Sequence, residues 1–252
     1  MQKSSFRFKL AKAIFVAWAI AMAGCGDSVT PIDSSAYFPL QVGTQWIYSV
    51  EESTTLRNLC ADDGVTTSNY ELKVMITQSY TNAEGGTTYV FERSTRTLPT
   101  DPWIPVGTWT AQRRGTKLVA NESNVLYVKL LFPAEEGITW NGNEFNTQIQ
   151  LNKLNVDSYQ MINVHQPYAL SANVSYPKSV TVIQNREESN ILYRDSRKEI
   201  YALGVGLVYK ESFLLAYFSQ SDPKEINFEC YLQKRVQNGT TLKQTLIEFS
   251  TP

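Results

Sequence analysis

Tyr70-Glu71-Leu72-Lys73-Val74-Met75-Ile76-Thr77 is the stretch that decides the fold class. Tyr70, Leu72, Val74 and Ile76 take alternate positions, with Glu71, Lys73, Met75 and Thr77 between them. A period of two sends one set into a core and the other towards water, which is the pattern of a half-buried strand. Outward from it the chain keeps the same habit. Residues 82–86 are turn-forming, and Tyr89-Val90-Phe91 begins a return strand. Residues 109–113 and 117–120 flank Arg114-Gly115, a second hairpin signal. Residues 125–131 form a mostly apolar run, expected to be buried on both faces.

Val180 and Val182 mark a further strand, and residues 191–201, 207–218 and 227–237 extend the series. Asn238-Gly239 reads as a tight hairpin, because both residues tolerate positive φ, with residues 241–249 returning. Sustained helical periodicity with caps is missing; residues 144–155 are the best candidate for a short helix, and a loop fits them equally well. Fourteen Tyr, 11 Phe and 5 Trp suit pleated, half-buried surfaces. The expectation is an all-β domain with few short helices: a single antiparallel, strongly curved sheet, half-barrel or barrel-like, with a sandwich as the alternative.

The start of the chain has a separate logic. Lys3, Arg7, Lys9 and Lys12 form a basic leader, and residues 13–23 are uncharged and mostly apolar. That order of regions is a secretory signal, and the apolar run is shorter than the ~20 residues a spanning helix needs. Met22-Ala23-Gly24-Cys25 closes it and resembles a lipobox, with Met22 where Leu is usual. The resemblance implies lipidation of Cys25, which then tethers the chain to a membrane; more than one acyl chain gives stable anchoring. An ordinary signal with an incidental cysteine is the other reading. Gly26 after Cys25 favours the outer membrane, facing the periplasm. The expected organisation is a signal peptide over 1–24, a flexible Ser/Asp/Thr/Pro tether over 25–36, and one all-β domain over 37–252.

With Cys25 assigned to lipid, Cys60 and Cys230 remain as an even pair in an oxidising compartment. A disulfide is expected, two buried thiols being the alternative. Closing so long a loop is worth on the order of 5 kcal/mol in the chain-entropy account. Four of the 23 basic residues lie in the leader, so the remainder carries 19 against 24 acidic residues. No basic run stands out, and nucleic acid is not an expected partner.

Two motifs punctuate the domain. Phe38-Pro39 precedes Gly43 and Trp46, and the same spacing recurs at Phe132-Pro133, Gly137 and Trp140. Pro fixes φ, Gly allows a tight turn, and Trp plugs a core as a strand begins. The echo reflects either two similar half-sheets or one turn solution used twice. The second motif is Tyr201-Ala202-Leu203-Gly204-Val205-Gly206-Leu207-Val208-Tyr209-Lys210-Glu211. It lacks the third glycine and the following helix of a nucleotide loop, so Gly204 and Gly206 are expected at a strand bend or bulge.

The lipobox, Tyr37-Phe38-Pro39-Leu40 with Gly43 and Trp46-Ile47-Tyr48, and the segment from Tyr201 to Glu211 together resemble a group of bacterial envelope lipoproteins frequent in Bacteroidetes. The likeness spans the domain, with Leu203 in a variable position of the second motif. It implies an envelope lipoprotein of all-β fold and attaches no activity. At the level of fold it is also similar to lipoprotein-carrier half-barrels, which cup acyl chains.

Candidate chemistry is sparse. His165 is the only histidine and sits in Val164-His165-Gln166-Pro167, expected as a loop. No Gly-x-Ser-x-Gly elbow occurs, and one histidine leaves little material for a triad or a metal site. The carboxylate doublets Asp62-Asp63, Glu135-Glu136 and Glu187-Glu188 read as solvated loop charges, since adjacent strand residues face opposite ways. Asp62-Asp63-Gly64 lacks the spaced ligands of a calcium loop. The expected function is therefore non-catalytic, without cofactor: binding of an apolar or amphipathic ligand, or else a scaffold role towards an envelope protein. A carboxylate hydrolase comes third.

Overall fold

The computed structural model describes residues 32–56, 64–146, 157–218, 230 and 233–252. Residues 33–252 form one compact unit. It opens with a single 3-10 turn, Ser34–Tyr37. Twelve strands follow: β1 (Gln45–Thr55), β2 (Val65–Thr81), β3 (Thr87–Arg96), β4 (Ile104–Arg114), β5 (Lys117–Glu122), β6 (Val125–Leu131), β7 (Thr139–Asn141), β8 (Ser158–Ala169), β9 (Ser175–Glu187), β10 (Tyr193–Ala202), β11 (Gly206–Tyr217) and β12 (Val236–Ser250). All pairings are antiparallel, in one sheet of order β6-β5-β4-β3-β2-β1-β12-β11-β10-β9-β8-β7. The all-β, strongly curved antiparallel sheet expected from the sequence is what the chain forms.

Two meanders of six strands make up this order. They join along β1 and β12, whose ladder runs from Gln45↔Ser250 to Thr55↔Gly239. The other two edges, β6 and β7, are consecutive in the chain and so are brought together by residues 132–138. One backbone bond crosses between them, from Val128 N–H to Gly142 O at 2.8 Å. The sheet is thus nearly closed into a barrel.

Inward residues follow from the registers. Trp46, Tyr48 and Val50 of β1 stand opposite Val74, Leu72 and Tyr70 of β2. Phe91 and Trp109 continue the same face across β3 and β4. These side chains belong to one core with Ile76, Leu118, Leu130, Met161 and Tyr201.

The N-terminal turn plugs the end of the barrel at which β1 begins. Asp33 caps it by accepting from Ser35 N–H at 2.9 Å, as an N-cap should. Ala134 N–H donates to Ser34 Oγ, Arg113 Nη2 to Ser35 O, and Gly204 N–H to Ala36 O. Tyr37 is fully buried; its hydroxyl donates to Ser179 O at 3.1 Å and shares a 2.7 Å bond with His165 Nδ1. Five separate parts of the sheet are pinned by four residues.

Each motif copy opens one meander, and the two make the same bonds. Gly43 N–H donates to Ile76 O and Ile76 N–H to Thr44 O, at 2.8 and 2.9 Å. Gly137 N–H donates to Met161 O and Met161 N–H to Ile138 O, at 2.8 and 3.0 Å. Both glycines have positive φ, +95° and +78°, which only glycine adopts without strain.

Several sequence expectations are corrected. Asn238-Gly239 is no hairpin; both residues lie inside β12, opposite Ala216 and Leu215. A Cβ on Gly239 would collide with the Leu214 carbonyl, so the glycine serves a close strand approach. Residues 233–235 precede β12 as turn and coil instead of extending a strand over 227–237. His165 lies within β8, in a bulge where it and Asn163 have φ near +60° and +54°. Gly204 and Gly206 shape the turn joining β10 to β11, and the bulge residue is Val208, skipped between Tyr201↔Leu207 and Ile200↔Tyr209. Residues 144–146 form turn and coil, and the rest of the proposed 144–155 helix lies outside the described residues, as does Cys60.

Candidate functional site

The interior of the barrel carries charge that the strand pattern alone did not announce. Lys129 on β6, Glu122 on β5, Glu199 on β10 and Lys210 on β11 converge there. Lys129 Nζ lies 2.6 Å from Glu199 Oε1 and 3.0 Å from Glu122 Oε1. Lys210 Nζ is 3.3 Å from Glu199 Oε1 and 4.0 Å from Glu122 Oε2. Tyr201 O–H donates to Glu199 Oε2 at 2.5 Å. Lys129 and Glu199 side chains are 6% and 1% exposed, where unpaired charge would be prohibitive.

Local geometry explains how the residues arrive. Lys129 is an extra residue between Leu118↔Leu130 and Val119↔Val128, a bulge that redirects its side chain inward. Gln184 is the corresponding extra residue of β9, between Asn185↔Arg197 and Ile183↔Lys198. Glu199 and Lys210 are cross-strand partners.

Each charge state follows from these contacts. Burial pushes the Glu199 carboxyl up, but the Lys129 and Lys210 ammoniums and the Lys129 and Tyr201 hydrogen bonds outweigh it, leaving about 2. Burial pushes the Lys129 ammonium down, yet Glu122 and Glu199 outweigh it and hold its pKa above the ordinary lysine value. The Tyr201 phenol is raised by burial and then by the neighbouring Glu199 charge. Beside the quartet, Arg197 pairs with Asp157 at 2.9 Å and with Asp195 at 2.6 Å.

Two cavities flank the quartet and share Glu122, Lys129 and Lys210 as a common wall. The lower one, towards the plug, is about 80 Å³ and is lined by Phe38, Trp46, Leu72, Phe91, Trp109 and Leu207. The upper one is about 160 Å³ and adds Tyr127, Tyr159, Gln184, Arg197 and Ser212. Both fall below the ~300 Å³ at which drug-sized pockets begin. The acyl-chain cup implied by analogy with carrier half-barrels is instead filled with aromatic side chains. A third concavity, about 560 Å³, lies on the outer face across β8–β12, with Ile200 and Tyr209 on its floor and Lys198 and Lys243 beside them. Lys198 and Ile200 alternate with the inward Glu199 and Tyr201, which places them outside.

The residues nominated from sequence are distributed as follows. Phe38, Trp46, Tyr201 and Gly206 line the lower cavity. Trp46 Nε1 donates to Val205 O at 2.6 Å, and Trp140 Nε1 to Val128 O at 2.7 Å. Gly206 is tight against the barrel floor: a Cβ there would sit 3.3 Å from Pro39 Cδ and from Trp46 Nε1. Phe132 lies under the Arg113 guanidinium, and the Phe132-Pro133 peptide is cis. Cys230 is buried, with Arg235 Nη1 3.8 Å from its Sγ. Cys25 and Asp62-Asp63 lie outside the described residues. Glu136 accepts from Asn163 and Val164 N–H, Glu187 from the N–H groups of Ser189 and Asn190, and Glu188 from Ser196 and Arg194. These carboxylates fasten turns and side chains. The quartet itself was missed; its signal was Lys129, a lone charge within a run read as buried on both faces.

The site and fold together define an antiparallel meander barrel, plugged at one end, with paired charges buried between an apolar and a polar chamber. No family model and no curated protein matches the chain. Among solved structures it is similar to a presumed exported protein of YmcC-like fold from Bacteroides fragilis NCTC 9343, at 12% identity and TM-score 0.40, covering 85% of this chain and 98% of that one. It is also similar to a presumed lipoprotein from Parabacteroides distasonis ATCC 8503, at 12% identity and TM-score 0.36, covering 88% and 100%. Likenesses this distant carry no argument about function.

Proposed function

We propose that the chain is a lipid-anchored protein of the bacterial cell envelope, attached through Cys25 to the outer membrane and facing the periplasm, whose barrel holds a small amphipathic ligand without catalysing a reaction. The anchor rests on the basic leader, the apolar run and Gly24-Cys25. The ligand rests on one observation: an apolar chamber and a polar chamber meet at Glu122, Lys129 and Lys210. A molecule with one apolar and one polar end matches that division, since buried polar groups need partners and apolar groups gain by leaving water. The same reading pairs Cys60 with Cys230. In its support, Cys230 is buried, and the end of β1 lies beside the start of β12, with Thr55 opposite Gly239.

Native mass spectrometry of the full-length protein, followed by solvent extraction, tests the reading. A stoichiometric small amphiphile is the expected result; a clean, empty protein overturns it.

A second reading, a scaffold subunit, has its own support. Leu98, Ile104, Val106, Ile191, Leu192 and Tyr193 are exposed around the end of the barrel opposite the plug. The outer groove across β8–β12 adds a concave surface of ligand-binding size. Crosslinking from Ile104 and Ile191 in intact cells would trap a partner on this reading, and a purely monomeric pattern would sink it.

A further inference from the structure

The quartet has a tight side and a loose side. Lys129 is committed, at 2.6 and 3.0 Å, to Glu199 and Glu122. Arg197, which also lines the upper chamber, is committed to Asp157 and Asp195. Glu122 Oε2 and Lys210 Nζ stand 4.0 Å apart, beyond hydrogen-bond length. Their side chains are also the more open ones, at 15% and 22% exposure against 6% and 1% for Lys129 and Glu199. Both line both chambers. The loose edge therefore offers one carboxylate and one ammonium, side by side, at the boundary between apolar and polar space.

Volume sets the size of what fits. A water takes about 30 Å³ of the liquid. On that scale the lower chamber, about 80 Å³, accepts about three heavy atoms, and the upper one, about 160 Å³, about five. An acyl chain is excluded, and so is a sugar ring with its substituents in the lower chamber, whose wall is aromatic and aliphatic.

We propose that the barrel binds a small zwitterion bearing a short branched aliphatic group, an α-amino acid of valine size, with its ammonium on Glu122, its carboxylate on Lys210 and its side chain among Trp46, Phe91 and Trp109. This rests on the amphipathic-ligand reading above and names its ligand class. The charge pattern favours a zwitterion: Glu122 holds Lys129 through Oε1, and Lys210 leans on Glu199 at 3.3 Å, so an anion alone would use only the remaining protons of Lys210 and a cation alone only Oε2 of Glu122. Bringing both charges of the ligand to the loose edge completes each half with a charge-assisted hydrogen bond.

The test is titration of full-length protein in detergent with L-valine, followed by calorimetry and by the fluorescence of Trp46 and Trp109. Three further probes dissect the recognition: isovalerate lacks the ammonium, isobutylamine lacks the carboxylate, and glycine lacks the side chain. Valine is expected to bind saturably at one site, isovalerate and isobutylamine at least about tenfold more weakly for the loss of one good charged contact, and glycine more weakly for the loss of its apolar contact in the lower chamber. Glu122→Gln should weaken valine by a similar factor and leave isovalerate unchanged. Lys210→Met should weaken valine and leave isobutylamine unchanged. Near-UV circular dichroism of each variant separates lost binding from lost folding. Isovalerate binding as tightly as valine, or valine giving no saturable signal with folded protein, overturns the zwitterion assignment. If native mass spectrometry still finds a bound amphiphile, the broader reading survives that result; if it finds none, both fall.

Discussion

The two seams of the barrel are built from opposite materials. Where β1 meets β12, an 11-residue strand pairs along its whole length, from Gln45↔Ser250 to Thr55↔Gly239. Where β6 meets β7, the strand is three residues long and one backbone bond, Val128 N–H to Gly142 O, crosses. Side chains do the rest: Trp140 Nε1 bonds Val128 O, and Lys129 reaches from β6 across the interior to Glu199 on β10. One seam is closed by the ladder, the other by side chains, among them Trp140 and the ion pairs of Lys129 with Glu199 and of Lys117 with Glu144. The lesson is that a repeated strand-entry motif fixes how a strand starts, at Gly43 and at Gly137 alike, and leaves its length to what comes next.

The sharpest way to break this comparison is to remove the ionic brace. Lys129→Met leaves Glu199 buried with Lys210 as its remaining cation, and cutting one partner from a buried pair costs about 3–5 kcal/mol. Urea unfolding should show that loss, and hydrogen exchange should show the Val128 amide freed while the β1–β12 amides keep their relative protection. Uniform loss at both seams would mean that Lys129 braces the whole barrel instead of one edge.

Acid should do the same more gently. Glu199 has a folded-state pKa of about 2, below the ~4.3 of an unfolded glutamate. Its contribution is therefore complete above the unfolded value and disappears as pH falls from about 4 through about 2. The stability gap between wild type and Glu199→Gln should stay level from neutral pH to pH 5 and close across that acid window. A gap already closing near pH 6 would show that another group, not Glu199, sets the dependence.

Much of this was written in alternation. Tyr70, Leu72, Val74 and Ile76 do share the inward face, and Arg114-Gly115 does join β4 to β5. The quartet was hidden because bulges break the count: the extra residues at Lys129 and Gln184 redirect side chains that a strict period of two cannot place. β8 was hidden for the same reason, with three residues, 163–165, left out of its ladder with β9. Asn238-Gly239 misled because a glycine needed for close approach to the Leu214 carbonyl looks, in sequence, like a glycine needed for a turn. The pairing of charges across the barrel joins residues 70 or more positions apart, such as Lys129 and Glu199, and no local pattern encodes it.

The two tryptophans sharpen the comparison at lower energy. Trp46 and Trp140 each give one N–H to a backbone carbonyl, of Val205 and of Val128. Replacing either by Phe keeps most of the packing and leaves that carbonyl unsatisfied, at a cost of about 1–3 kcal/mol. The stability losses should be similar. Exchange should differ: only Trp140→Phe should accelerate the Val128 amide, because only that tryptophan stands at the edge the ladder does not close. Equal protection of Val128 in both variants would show the single backbone bond to be sufficient on its own.

The smallest effect tests the repeat itself. Gly43 and Gly137 occupy the same frame at positive φ, so Gly43→Ala and Gly137→Ala should each cost about 1–2 kcal/mol for the left-handed conformation. Their surroundings differ. A Cβ on Gly137 meets nothing within 4 Å, whereas one on Gly43 comes 3.0 Å from Pro252 Cβ. Pro252 is exposed coil beyond β12, so its ring can give way; the excess for Gly43 should be slight and should vanish when Pro252 is replaced by Gly. Thermal unfolding of the four variants decides it. If Gly43→Ala remains much the more damaging without Pro252, the two motif copies share a sequence pattern but not one structural frame, and the description of the barrel as two equivalent meanders fails at its starting point.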